Sequence, residues 1–165
     1  MEPLKVGDEA PDFVVNEATG QTLHELIHQN QSPALVYFYP AAFSPACTAQ
    51  ACMIRNLQKA CHTDGSAIIG INPQGAGLNR VFQHMMHLPQ QLVLDKTRVI
   101  GDMYGVVGPF GFYRRLSFIV GIDLKVHMRA RGGLSLTTHR DLFRHYFELS
   151  NRTKQNGIGG GAKPE

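Results

Sequence analysis

The chain has 165 residues, 43% of them hydrophobic, which is enough to bury one sizeable core and falls within the usual size of a single domain. Charged residues make up 18% and the formal net charge is +3, with Lys and Arg scattered and no run longer than Arg114-Arg115, so nothing calls for nucleic acid or an anionic membrane as partner. The longest apolar stretch, Ala34 to Tyr39, is far short of the roughly 20 residues of a membrane helix, and the N-terminus lacks a signal-type apolar core; the expectation is a soluble cytoplasmic protein, or an organellar one if a transit peptide has been removed.

Taken in chain order, Asp12 to Val15 offers a short extended segment before an Ala18-Thr19-Gly20 turn, and Leu23, Leu26 and Ile27 fit one helical face. Ala34-Leu-Val-Tyr-Phe-Tyr39, closed by Pro40, reads as a central strand buried on both faces. Pro45 suits the first turn of a helix with Ser44 as its N-cap, and the periodicity runs through Met53, Ile54, Leu57 and Ala60. Ser66 to Ile71 predicts a second buried strand, Leu78 to His87 a helix, and Leu92 to Leu94 a third strand. A glycine-rich loop is expected from Gly101 to Gly111. Leu116 to Ile122 and Leu124 to Met128 flank Asp123 like a hairpin, and Arg140 to Leu149 suggests a last helix. This order predicts an α/β fold with a mixed central sheet flanked by helices on both faces, in one domain over residues 1–150. The tail over residues 151–165, with Gly159-Gly160-Gly161, is expected to lie outside the fold.

Three cysteines, an odd number in a chain this long, do not look like the framework of a secreted disulfide scaffold. Their chemistry is the question. Cys47 falls in the first turn of the helix that follows the central strand, where unpaired amides and the positive end of the helix dipole favour an anionic sulfur. The competing reading is a small buried apolar residue, the commonest fate of a free cysteine.

Pro40-Ala-Ala-Phe-Ser44-Pro45-Ala-Cys47 resembles the peroxiredoxin active-site pattern Pro-x-x-x-Thr/Ser-x-x-Cys. Thr48 and Gln50 fit the Cys-Thr-x-Glu/Gln continuation, and Arg115-Leu-Ser-Phe-Ile-Val120 is similar to the Arg-x-Thr/Ser-Phe segment that supplies the family's arginine. The likeness runs from about Leu4 to Leu149. Cys52, following Cys47 five residues on, resembles the resolving cysteine of the peroxiredoxin Q or bacterioferritin-comigratory-protein type. Ser44 stands where threonine is usual and keeps the hydroxyl; Ala46 stands where this type often has glycine and adds a β-carbon beside the peroxide's path.

The resemblance implies a thioredoxin-like fold and a thiol peroxidase. In this reading Cys47 is the peroxidatic and Cys52 the resolving sulfur, Arg115 and Ser44 bind the peroxide, Pro40 shields the pocket and Gln50 orients Arg115. It also implies a hydroperoxide substrate, thioredoxin or a glutaredoxin as reductant, a monomer, and no metal or organic cofactor. Residues five apart on an intact helix have Cα atoms roughly 8 to 9 Å apart, beyond the limit of about 7 Å for a disulfide. A Cys47–Cys52 bond therefore requires local unwinding and predicts two states. Cys61 reads as a packing thiol and a reserve resolving candidate.

Three other readings compete. A thioredoxin-like disulfide oxidoreductase would share the fold but normally carries Cys-x-x-Cys, which this chain lacks. A metal module is prompted by eight histidines and the Cys61-His62 pair, yet the histidines are dispersed, His84 and His87 being the nearest to a ligand pair. A chaperone-like relative with secondary peroxidase activity is opposed by the intact Pro40, Ser44, Cys47 and Arg115 set.

Overall fold

The computed structural model describes residues 1–61, 67–132 and 136–158. A small hairpin, β1 (Val14–Asn16) with β2 (Gln21–Thr22), leads into helix α1 (Leu23–Asn30). Thr22 and Glu25 form a reciprocal capping box there, which stops the helix from fraying at its start.

The central sheet has the order β5-β4-β3-β6-β7. Strand β3 (Ala34–Phe38) lies in the middle, parallel to β4 (Ala67–Asn72), which is parallel to β5 (Gln91–Leu94). On its other side β3 runs antiparallel to β6 (Leu116–Val120), and β6 to β7 (Val126–Arg131). The sheet is mixed and covered on both faces, as the element order predicts.

Alternation along β3 divides the core. Ala34, Val36 and Phe38 face a layer with Leu23 and Ile27 of α1 and with Tyr104, whereas Leu35 and Tyr37 face Ile54, Phe82, Phe143 and Tyr146. Those last four belong to α2 (Pro45–Ala60), α3 (Ala76–Met85) and α5 (Thr137–Ile158). All five β3 residues are buried, so the continuous apolar run is what a strand between two helical layers needs.

Several expectations shift at their edges, including the helix expected from Leu78 to His87, which runs over Ala76–Met85. The Gly101 to Gly111 loop contains helix α4 (Val99–Met103) and a 3-10 turn at Pro109–Gly111. Gly101 is required by packing, since a β-carbon there would sit 2.7 Å from the Tyr113 ring. The buried Asp95 carboxylate ties this segment down by accepting from the Gly101 amide at 2.7 Å and from the Tyr113 hydroxyl. The hairpin turn takes Leu124 with φ 62°, so β7 begins at Val126 and extends to Arg131.

At the C-terminus, α5 begins at Thr137 and runs to Ile158, beyond the Asn151 boundary expected for the domain. Residues 151–155 hold no proline or glycine, and Arg152, Lys154 and Gln155 are good helix formers, with glycine first at Gly157. Asn151 also donates to the Cys61 carbonyl at 3.3 Å, and Thr153 to that of Leu149 at 3.1 Å. Ser66, His62 and the triple glycine lie outside the described residues. No described helix is long and apolar enough to cross a membrane.

Candidate active site

The site forms where β3 hands over to α2. The Tyr39 amide still donates to the Ile71 carbonyl at 3.1 Å, continuing the ladder one residue past β3, and half-buried Pro40 follows and ends it. The connecting loop is anchored by the Ala42 amide, which donates to Gln74 Oε1 at 2.6 Å, and Gln74 is itself held by Asn72 at the end of β4. Phe43 adopts φ 61°, a left-handed conformation that costs a non-glycine residue roughly 1 kcal/mol or more. Its ring packs edge-on against Phe82 at 5.0 Å, which compensates.

That turn delivers Ser44 as the N-cap of α2. Its hydroxyl accepts from the Cys47 amide at 3.3 Å and donates to the Ala41 carbonyl at 3.3 Å. Cys47 therefore sits in the first turn, only 2% exposed, with its sulfur accepting a hydrogen bond from Arg115 Nη2 at 3.2 Å. Arg115 enters from the strand side, immediately before β6. Its other terminal nitrogen, Nη1, donates to Gln50 Oε1 at 2.5 Å. One planar guanidinium thus bridges the sulfur and the amide of a residue one turn further along α2, a two-point grip that a lysine cannot reproduce.

Nearby phenols stay neutral. Burial pushes the Tyr37 and Tyr39 hydroxyls well above their ordinary values, and the neighbouring Cys47 adds to the effect. The charged or titratable partner that directly meets the sulfur is Arg115.

Behind Gln50 the structure continues into a chain of contacts. Gln50 Nε2 donates to Ser117 Oγ at 3.4 Å, and Ser117 Oγ lies 2.9 Å from His139 Nδ1 on α5. Gln50, Ser117 and His139 are all fully buried. Burial first, and then the Arg115 charge, hold the His139 imidazole down to about 4 from its ordinary 6.5.

The folded protein therefore binds less proton at His139 than the unfolded chain between those values. The contribution to stability is full above pH 6.5 and is lost as pH falls to about 4, a change of roughly 3 kcal/mol. Urea unfolding measured across this range should show a steeper acid decline in the wild type than in His139→Asn. Equal slopes would place the proton uptake on other groups.

The structure brings together Ser44, Cys47, Gln50 and Arg115 and sets Pro40 at the loop's entrance. It keeps Cys52 apart. Both cysteines lie on the unbroken helix α2, all three thiols are free, and Cys52 lines an open groove with Met53, Leu57 and Arg140. Cys61 is the C-cap of α2, about 21 Å along the helix axis from Cys47 by the rise per residue. Among the described residues, no three His, Cys, Asp or Glu side chains converge as metal ligands.

Sequence reasoning missed Ser117 and His139 as members of this network. Ser117 carried a signal, as the one polar residue in the apolar strand Leu116-Ser-Phe-Ile-Val120, where a buried hydroxyl needs a partner. His139 precedes Leu142, Phe143 and Tyr146 by three, four and seven residues, which places it on the apolar face of α5.

Comparison with known proteins adds a second line of evidence. The AhpC/TSA family matches residues 6–129. Peroxiredoxin Bcp of Escherichia coli (strain K12) is 32% identical over 133 residues, spanning 76% of this chain and 85% of the relative. Among solved structures, peroxidoxin BcpB from Mycobacterium tuberculosis superimposes with a TM-score of 0.75 at 26% identity, covering 88% of this chain and 97% of that one. The bacterioferritin comigratory protein of Xanthomonas campestris, at 18% identity, shares the fold with a TM-score of 0.67 over 78% of this chain and 83% of its own.

Proposed function

This chain belongs to the AhpC/TSA family of peroxiredoxins and is a thiol-dependent peroxidase, and from that premise we propose that Cys47 is the sulfur that attacks the peroxide and Cys52 the one that resolves it. The observation that carries the assignment is the Arg115 guanidinium on the Cys47 sulfur at 3.2 Å. A positive, hydrogen-bonding group there favours the anionic nucleophile and stands ready for the charge that moves onto the leaving oxygen.

The Cys47 thiolate attacks the nearer oxygen of the hydroperoxide. The S–O bond forms as the O–O bond breaks, and the departing oxygen takes a proton to leave as water or an alcohol. The sulfur, oxidised by two electrons, is then a sulfenic acid. Ser44 already donates its proton to the Ala41 carbonyl and gives one lone pair to the Cys47 amide. Its second lone pair is left for the peroxide O–H, so it serves as an acceptor that orients the substrate. Pro40 closes the loop side of the site.

Cys52 attacks the sulfenic sulfur, displacing its oxygen as water and forming the disulfide. Because Cys47 and Cys52 share α2, the first turns of that helix must unwind, which pulls Gln50 from Arg115 and dismantles the peroxide site until the disulfide is reduced. An external dithiol of the thioredoxin or glutaredoxin kind returns both thiols by exchange. We read the protein as acting in a reducing compartment such as the cytoplasm, where such a dithiol is available. We read it as acting as a monomer on one domain, since both cysteines come from a single helix.

One equivalent of hydrogen peroxide, followed by peptide mass spectrometry, tests the scheme. The expected product is a Cys47–Cys52 disulfide, with sulfenic acid trapped on Cys47 in Cys52→Ser. A bond from Cys47 to Cys61 would move the resolving role there, and a Cys47 no faster to oxidise than free cysteine would defeat the peroxidatic assignment.

A further inference from the structure

We propose that Ser117 and His139 are positioning residues that fix which end of the Gln50 side-chain amide faces Arg115, and thereby hold the guanidinium on the Cys47 sulfur. The inference rests on the reading of Cys47 as the peroxidatic sulfur.

The argument starts from Gln50 being an amide. Its oxygen accepts from Arg115 Nη1 at 2.5 Å and its nitrogen donates to Ser117 Oγ at 3.4 Å. Rotated by half a turn, the same side chain would present NH2 to a guanidinium that can only donate, and the contact would become repulsive. Something must choose between the two. Ser117 Oγ accepts from Gln50 with one lone pair, and in the proposed chain its own proton goes to the next partner, His139 Nδ1 at 2.9 Å, which accepts in the neutral tautomer with the ring proton on Nε2.

The polarity of the whole chain follows. Arg115 Nη2 donates to the Cys47 sulfur, and from Nη1 onward the chain runs one way, Arg115 to Gln50, Gln50 to Ser117 and Ser117 to His139, towards α5. Bonds aligned in this sense reinforce one another. Burial and the Arg115 charge keep the imidazole neutral, which preserves Nδ1 as an acceptor. The far nitrogen, Nε2, is buried with no hydrogen-bond partner among the described residues.

The requirement is specific to an amide. A carboxylate presents the same acceptor face either way round and needs no orienting partner. Where position 50 holds glutamate, the Ser117 and His139 links should matter little to Arg115.

The test measures the second-order rate of Cys47 oxidation by hydrogen peroxide in a single turnover. Ser117→Ala should slow it about tenfold, on the scale that misplacement of a reacting group costs. In a Gln50→Glu background the same Ser117→Ala change should cost less than about twofold. His139→Asn, which keeps an acceptor near the place of Nδ1, should stay within about twofold of wild type, whereas His139→Leu should match Ser117→Ala. Equal losses from Ser117→Ala in both backgrounds would make Ser117 a general packing residue and overturn the proposal, as would no loss in either. A wild-type Cys47 that itself reacts no faster than free cysteine would instead strike at the peroxidatic reading.

Discussion

Cys47→Ser is expected to abolish peroxide reduction, leaving only the rate of added dithiol with peroxide. The reaction needs an atom that can be both nucleophile and stable two-electron oxidation site. Sulfur becomes a sulfenic acid, but a serine oxygen has no corresponding state. The effect is separable from folding. Exchanging sulfur for oxygen changes little volume, and the Ser44 hydroxyl still accepts the backbone amide of residue 47, so the N-cap of α2 survives. Peroxide decay under excess dithiol, followed beside the far-ultraviolet circular dichroism of the variant, checks both halves. Retained turnover at normal fold would move the chemistry to Cys52 or Cys61.

Arg115 carries the second largest expected loss. Arg115→Ala should slow Cys47 oxidation by about 10²- to 10³-fold, the usual cost of removing one preorganised donor from a developing charge. Arg115→Lys separates charge from geometry. A lysine keeps the positive charge but offers one compact ammonium where the guanidinium meets the Cys47 sulfur and the Gln50 oxygen at once. We expect a loss of about ten- to 100-fold, since part of the donor effect is retained. Single-turnover oxidation rates measure it. A lysine variant as fast as wild type would show that charge alone suffices and that the bridge to Gln50 adds nothing.

These variants all address the first step, oxidation of Cys47; the second depends on α2. The structure holds the Cys47 sulfur buried at the start of an intact helix, while Cys52, the proposed resolving thiol, lies partly exposed on the same helix in an open groove. A helix keeps them apart by its own geometry, so in the proposed cycle a Cys47 sulfenic acid persists until the turn opens. That interval is when a second peroxide can compete with Cys52 for the oxidised sulfur.

Much of this was legible in the sequence, where the signals are local. Ser44 followed by Pro45 marks a helix start, because the first amides of a helix need a side-chain acceptor and a proline there loses nothing. The apolar run from Ala34 marks a strand between two helical layers. Together they place Cys47 in a first turn with no knowledge of the remainder of the chain, and the motif resemblance adds Arg115. Chain edges were less legible: β7 and α5 run further than periodicity suggested, since an edge strand and a half-exposed helix carry mixed patterns.

What only tertiary structure decided is how the distant parts meet. Gln50 finds Ser117 across 67 positions of chain and Arg115 across 65, and His139 joins them from the last helix. Alone in sequence, Ser117 is one polar residue in an apolar strand and His139 one of eight histidines. Their role depends on the β3–β6 register and on α5 packing over that sheet face. Hydrogen bonds are set by ångström distances that residue type alone does not encode, so the candidate sulfur can be read from the chain, but the support behind its arginine cannot.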